Sequence, residues 1–328
     1  GIDAGDDSFS AGLMDDPIDT VRNYFPAEGE FGTIMFEDLW PSFGDYDMND
    51  LVVGYQFSEL TNDQNDILSI DMTFQIRATG TAVRAGFGIQ FDELEPDDIA
   101  SVVGTRLSGD TFINLNSDGT EAAQSRAVVI AFDDANQNFP RMGNVFEGRN
   151  PRNPDVVSLT VTFEDPVARE DLGSAPYNPF AFFYGNKNQV VEGDTLVVPF
   201  GGRGNEVHPP FNIPTDLVDA SLFNNFEDNS AEAGWYKSTD VARVGKNMNF
   251  AIAVPELIPH AIQSRRFASA LVDTTTGDAL EAHAYLRFAA WAESNGTVNQ
   301  DWYTDNPGNR DESQLIILPD LLDPDPLD

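Results

Sequence analysis

Alternation of apolar and polar residues constrains this chain more than any other feature. Leu68, Ile70, Met72, Phe74, Ile76 and Ala78 alternate with Ser69, Asp71, Thr73, Gln75 and Arg77. A strand turns successive side chains to opposite faces, so this run predicts one buried and one wet face. Val157, Leu159, Val161 and Phe163 repeat the pattern against Ser158, Thr160, Thr162 and Glu164. Further strands are expected at 32–36, 51–58, 86–91, 126–132, 180–184, 195–200 and 248–254, separated by turn signals such as Ser117-Asp118-Gly119 and Glu192-Gly193-Asp194. Many strands and few helices predict a mostly β fold, an antiparallel and jelly-roll-like β-sandwich.

One longer helix is expected over 279–294, near the C-terminal end. Asp278 and Glu281 form a capping-box-like start, Asn295-Gly296 supplies the stop, and good helix formers fill the interval. A shorter helical turn is expected within Glu95–Val103. Gly201, Gly202, Gly204 and Pro209-Pro210 suggest a boundary between two β-rich halves, 29–200 and 201–318. Residues 1–28 read as an acidic leader or linker and 319–328 as a Pro-punctuated linker, as in a module of a longer polypeptide.

Charge narrows the partners. The 328 residues carry 55 Asp and Glu against 18 Lys and Arg, a formal charge of −37. Such a field repels nucleic acid and anionic membranes and concentrates cations, although a surface adapted to salty surroundings has the same composition. With 41% hydrophobic and 11% aromatic residues, the chain has the material for a packed core. No apolar run approaches the ~18 residues of a membrane span, so no membrane insertion is expected. The absence of Cys excludes disulfides, thiolate nucleophiles and cysteine-based zinc sites, leaving bound metal as the obvious staple.

The stretch Gly44-Asp45-Tyr46-Asp47-Met48-Asn49-Asp50 gathers oxygen ligands immediately before an apolar run. Asp45, Asp47 and Asn49 have the alternate spacing that opens a calcium loop. It is not an EF-hand, since the sixth position is Asp50, the twelfth is Gln56 and a strand follows. Asp45, Asp47, Asn49 and Asp50 are therefore candidate Ca2+ ligands, with Glu37, Asp38, Asp92 and Asp133 as possible additions from neighbouring strand ends. Acidic turn residues that only cap backbone N–H groups are the competing reading. His208, His260 and His283 are scattered, and neither an HExxH nor a Gly-x-Ser-x-Gly motif occurs. Trp235-Tyr236 and Trp302-Tyr303 lie beside acidic, turn-rich segments and could stack on sugar rings, or could simply pack in the core.

The stretch from Phe31 to Phe57, FGTIMFEDLWPSFGDYDMNDLVVGYQF, resembles the signature of the LruC-domain family of bacterial envelope and secreted proteins. The segments RATGTAVRAGFGIQFD, GNEVHPPFNIPTD and AYLRFAAWAES followed by DWY are similar to that family's pattern more loosely, extending the resemblance over about 30–318. Met48 stands where the family commonly has an aromatic, and Gly54 where it has an acidic residue. The resemblance implies an extracellular, β-rich, calcium-dependent module and carries over no catalytic residue. The combined expectation is a non-enzymatic, cell-surface binding or adhesion module with a glycan or matrix partner. A carboxylate-pair polysaccharide hydrolase and a purely structural spacer are the alternatives.

Overall fold

The computed structural model describes residues 20–109, 112–185, 203, 205–241, 244–270 and 282–318. The alternating runs form two antiparallel sheets packed face to face. The larger comprises β1 (Val21–Phe25), β2 (Gly32–Phe36), β3 (Leu51–Thr61), β4 (Ile67–Ala78), β6 (Ile99–Val103), β8 (Asp155–Val167) and β11 (Ala251–Val254). Its order is β11-β2-β3-β4-β8-β6, with β1 paired to the far half of the β3 edge that β2 begins. The smaller sheet has the order β10-β9-β5-β7, made of β5 (Arg84–Phe91), β7 (Ala127–Phe132), β9 (Asn178–Tyr184) and β10 (Asn205–Val207). A two-residue ladder joins β12 (His260–Ala261) to β13 (Leu315–Ile316).

Aromatic side chains hold the sheets together. Phe87 of β5 meets Phe36 and Phe74 of the facing sheet edge-on, at centroid separations of 6.1 and 5.0 Å. Phe91 meets Phe163 in the same way at 6.1 Å. Edge-to-face contact puts the positive rim of one ring on the negative face of another, adding to the burial of both. The expected alternation holds over residues 157–164 of β8, where Val157, Leu159, Val161 and Phe163 are buried. In β4 it holds over Ile70–Phe74 and fails at both ends. Leu68, only partly buried, is the extra residue of a bulge where β3 pairs Leu60 with Ser69 but Thr61 with Ile67. Gln75 and Arg77 are buried along with their apolar neighbours. A one-residue shift exchanges the two faces of a strand.

Among the described residues α-helix is confined to α1 (Arg169–Leu172), α2 (Ser230–Ala233) and α3 (Phe288–Glu293). The helix expected over 279–294 is therefore corrected to its last part; Asp278 and Glu281 lie outside the described residues. Residues 284–286 bond to other segments instead: Ala284 N donates to Arg266 O, Tyr285 N to Phe267 O and Leu286 N to Asn309 O. This tertiary pairing, with Tyr285 fully buried, outweighs a local helix propensity of a few tenths of a kcal/mol per residue. The turn expected within Glu95–Val103 is a 3-10 helix over Pro96–Asp98, and the rest is β6.

The expected leader, 1–28, is also partly corrected, since β1 is a full partner of β3. The rest of that leader to residue 19, the strand expected at 195–200 and the linker 319–328 lie outside the described residues. The division expected near 200–206 does not separate the sheets. β10 and β11, both from beyond it, extend the smaller and larger sheets respectively. Among the described residues, no helix is long and apolar enough to cross a membrane.

Candidate metal centre

The β2–β3 hairpin builds the site. Its register pairs Phe36 with Leu51, so the next residues outward, Glu37 and Asp50, emerge side by side at the base of a long loop. That loop folds back over the base. Tyr46 and Met48 adopt left-handed backbone angles, φ 54° and 52°, and send their side chains into the core. Such angles are unfavourable for non-glycine residues and persist only where the surroundings enforce them. Here Tyr46 Oη donates to Asn249 O, Phe267 N donates to Tyr46 O, and Met48 N donates to Glu37 Oε1 at 2.5 Å. With Tyr46 and Met48 turned inward, the intervening Asp47 joins Glu37 and Asp50.

One carboxylate oxygen from each of Glu37, Asp47 and Asp50 lies within 4.8 Å of the other two, and all three residues are buried. Asp38 adjoins them: its N–H donates to Asp50 Oδ2 at 2.8 Å and its Oδ2 accepts from Thr81 Oγ1 at 2.6 Å. Asp47 Oδ2 accepts from Ser264 N at 2.7 Å, and Asn49 Nδ2 donates to Ala261 O at 3.0 Å. Two buried acceptors in this group, Glu37 Oε2 and Asn49 Oδ1, have no hydrogen-bond partner among the described residues, and Gln263 Oε1, near Asn49 Oδ1, has none either. Gly80 leaves the space for those amides. A Cβ there would sit 1.9 Å from Asn49 Oδ1 and 2.7 Å from Gln263 Oε1.

Among the described residues, no lysine or arginine forms an ion pair with Glu37, Asp38, Asp47 or Asp50. Burial, followed by the neighbouring carboxylates, pushes the Asp47 carboxyl up to about 8. The same two causes push Glu37 and Asp50 well above the usual carboxylate range. Burial raises Asp38 as well. Desolvated like charges at this range must be neutralised by protons or by a cation. An all-oxygen donor set of carboxylates and amides is the kind that calcium takes, whereas zinc prefers His or Cys. Glu37, Asp47, Asp50 and Asn49 are thus the residues that would hold the ion.

The other expected ligands are placed differently. Asp45 is half-buried at the rim and outside the close trio, though its charge contributes to the shifts of Glu37 and Asp47. Asp92 and Asp133 do not complete the shell. Each follows a strand of the antiparallel pair β5–β7, which sets them at opposite ends of the sheet. Asp92 Oδ1 accepts from Gln90 and Asn178, and Asp133 accepts from the N–H and hydroxyl of Ser108. Gln263, Ser264, Thr81 and Gly80 carry no acidic signature, which is why composition and spacing pass over them.

The aromatic pairs are corrected in part. Tyr236 is fully buried, between the rings of Trp40 and His208. Trp302 is 1% exposed and enclosed by Phe267, Tyr285, Phe288 and Trp291. Neither ring offers a face to a sugar. Trp235 is 38% exposed with one edge contact to Phe223, and Tyr303 is half-buried against Trp302.

Residues 65–303 match the family described as Domain of unknown function (DUF4842). The chain belongs to this family. No curated protein matches it. Among solved structures the chain is similar to the crystal structure of a "Putative lipoprotein from Bacteroides ovatus", with a TM-score of 0.53 and 17% identity, covering 91% of this chain and 76% of that one. At that identity the likeness is one of fold, and it supports the sandwich described above.

Proposed function

We propose that this DUF4842 chain is a calcium-stabilised, non-catalytic binding module of the bacterial cell envelope, exposed at the cell surface and holding a glycan or matrix ligand. The observation that carries the reading is the trio Glu37, Asp47 and Asp50, close together, buried and, among the described residues, without a cationic partner, beside Oε2 of Glu37 and Oδ1 of Asn49, which likewise find no partner there. The resemblance of the Phe31–Phe57 stretch to the LruC-domain family and the lipoprotein-like fold neighbour support the envelope setting. The burial of the trio also favours binding over hydrolysis, since a glycosidase needs its two carboxylates open to the sugar between them.

Calcium titration of the chelator-treated protein, followed calorimetrically and by thermal melting, tests the metal. A polysaccharide panel tests the ligand, scored both for retention and for release of reducing ends. Saturable calcium binding with a raised melting temperature, and retention without release, are expected. Reproducible cleavage abolished by a single carboxylate substitution would replace this reading with the hydrolase.

A further inference from the structure

A second feature lies away from the carboxylates. A cavity of about 250 Å³ opens between the segment after β10 and the end of α3, walled by Pro210, Phe211 and Trp291, with Lys237, Asn249 and Asn295 as its polar groups. Lys237 is 1% exposed. Its Nζ donates to Asn249 Oδ1 at 2.8 Å and to Ala292 O at 2.9 Å, and lies 5.7 Å from the centre of the Phe211 ring. An ammonium has three donors, and among the described residues the third has no acceptor. No carboxylate of the described residues pairs with it either. Arg203, another buried cation, contrasts sharply: its guanidinium lies between Glu121 and Glu206.

A buried ammonium without a counter-ion is costly, and burial alone lowers Lys237 to about 8. It still carries its charge at neutral pH. An anionic acceptor reaching Nζ would recover that cost, and the walls define what else the ligand must have. Trp291 and the half-exposed Phe211 present aromatic surface, which suits the apolar face of a ring. The volume falls below the ~300–1,000 Å³ of drug-sized pockets, so it admits a single ring. Asn249 and Asn295 also line the cavity, and an amide side chain can pair with a hydroxyl.

We propose that this cavity binds one sugar ring bearing a carboxylate, with the carboxylate on Lys237 Nζ and the ring against Phe211 and Trp291. The proposal rests on the reading of the chain as a binding module, but not on its calcium dependence. The charge of −37 opposes any acidic ligand at long range. At ~0.15 M salt that field is screened beyond about 8 Å, so the local contact with Lys237 decides the binding.

The test is titration of the whole chain, in calcium, with D-glucuronate, D-glucose and acetate. Glucuronate is expected to bind about tenfold or more tighter than either, the factor that a charge-assisted hydrogen bond adds. Lys237→Met should abolish the preference over glucose. Phe211→Ala, at a half-exposed wall and therefore safe for folding, should weaken both sugars while leaving the calcium-induced rise in melting temperature intact. Equal affinity for glucuronate and glucose, equal affinity for acetate, or full binding by folded Lys237→Met would each overturn the proposal. If Lys237→Met does not fold, the three probes and Phe211→Ala decide the matter alone. Retention of neutral polysaccharide without glucuronate binding would refute this site and leave the module reading standing. Absence of a calcium response with glucuronate binding intact would refute the metal site and leave this site and the binding reading standing.

Discussion

Removing the cation should destabilise the protein by an amount that can be worked out. Two unit charges 4.8 Å apart, the outer limit for oxygens in the Glu37–Asp47–Asp50 trio, repel by about 3.5 kcal/mol at an effective dielectric constant of ~20. Three such pairs approach about 10 kcal/mol, which rivals the whole stability of a domain. The chelated protein therefore cannot keep the trio fully ionised. It must take up protons, and calcium must displace them. For a site of ~0.1 mM affinity, typical of extracellular modules, ~10 mM calcium adds about 2.7 kcal/mol. At ~2.1 cal/mol/K per residue, a 328-residue chain melts with an entropy of about 0.7 kcal/mol/K, so chelation should lower Tm by about 4 °C. Scanning calorimetry in chelator, calcium, magnesium and sodium chloride at matched ionic strength is the assay. Asp50→Asn sharpens it: the amide oxygen can still accept from Asp38 N while one charge disappears. That variant should be no less stable than the parent in chelator, yet gain little from calcium. Recovery by sodium chloride equal to that by calcium, or a full calcium response in Asp50→Asn, would refute the reasoning.

Three further outcomes are expected. Gly80→Ala should cost about 1–3 kcal/mol in urea unfolding and weaken calcium binding, because its Cβ would displace the Asn49 and Gln263 amides. Trp302→Ala should cost about 3–5 kcal/mol, as for a large core ring, whereas Trp235→Ala, with one edge contact, should cost about 1 kcal/mol. Burial holds His260 at about 4, against 6.5 for the free side chain, so the unfolded chain takes up the proton first as pH falls. Its contribution, up to about 3 kcal/mol, is complete above pH ~6.5 and lost by pH ~4, so the stability gap between parent and His260→Asn should narrow over that window in denaturant titrations.

Much of the fold was legible because strand periodicity is local. β8 needs only its own residues to show which face is buried. The failures arise where other segments decide. Leu68 obeys the alternation but loses its place in the core, because a bulge in the pairing with β3 leaves it as the extra residue between Ile67 and Ser69. The segment from 284 to 286 has helical composition, yet its N–H groups find partners at Arg266, Phe267 and Asn309. Those partners are invisible to any window of sequence. The same holds for Trp302 and Tyr236, whose polar neighbours in the chain say nothing of the rings that enclose them in space.

The candidate site divides along the same line. Asp47, Asn49 and Asp50 could be read from spacing, and Glu37 only as an acid just upstream; the pairing of Phe36 with Leu51 that brings it to Asp50 is a property of the sheet. Asp92 and Asp133 misled because both follow strands, and the antiparallel order that sends them to opposite ends is a property of the sheet. The contributions of Gly80, Gln263 and Ser264 are steric and neutral: a missing Cβ, an amide oxygen and a backbone N–H. None carries a compositional mark. Their common effect is to enclose the carboxylates, and enclosure turns a set of acidic turn residues into a site whose charge must be neutralised by protons or by a cation. Exposed, these acids would be solvated, and the trio's mutual repulsion would fall roughly fourfold as the effective dielectric constant rose from ~20 to ~80. Buried, they would make a bound cation part of the fold, and on the calcium reading the stability of the hairpin base would follow the calcium concentration outside the chain.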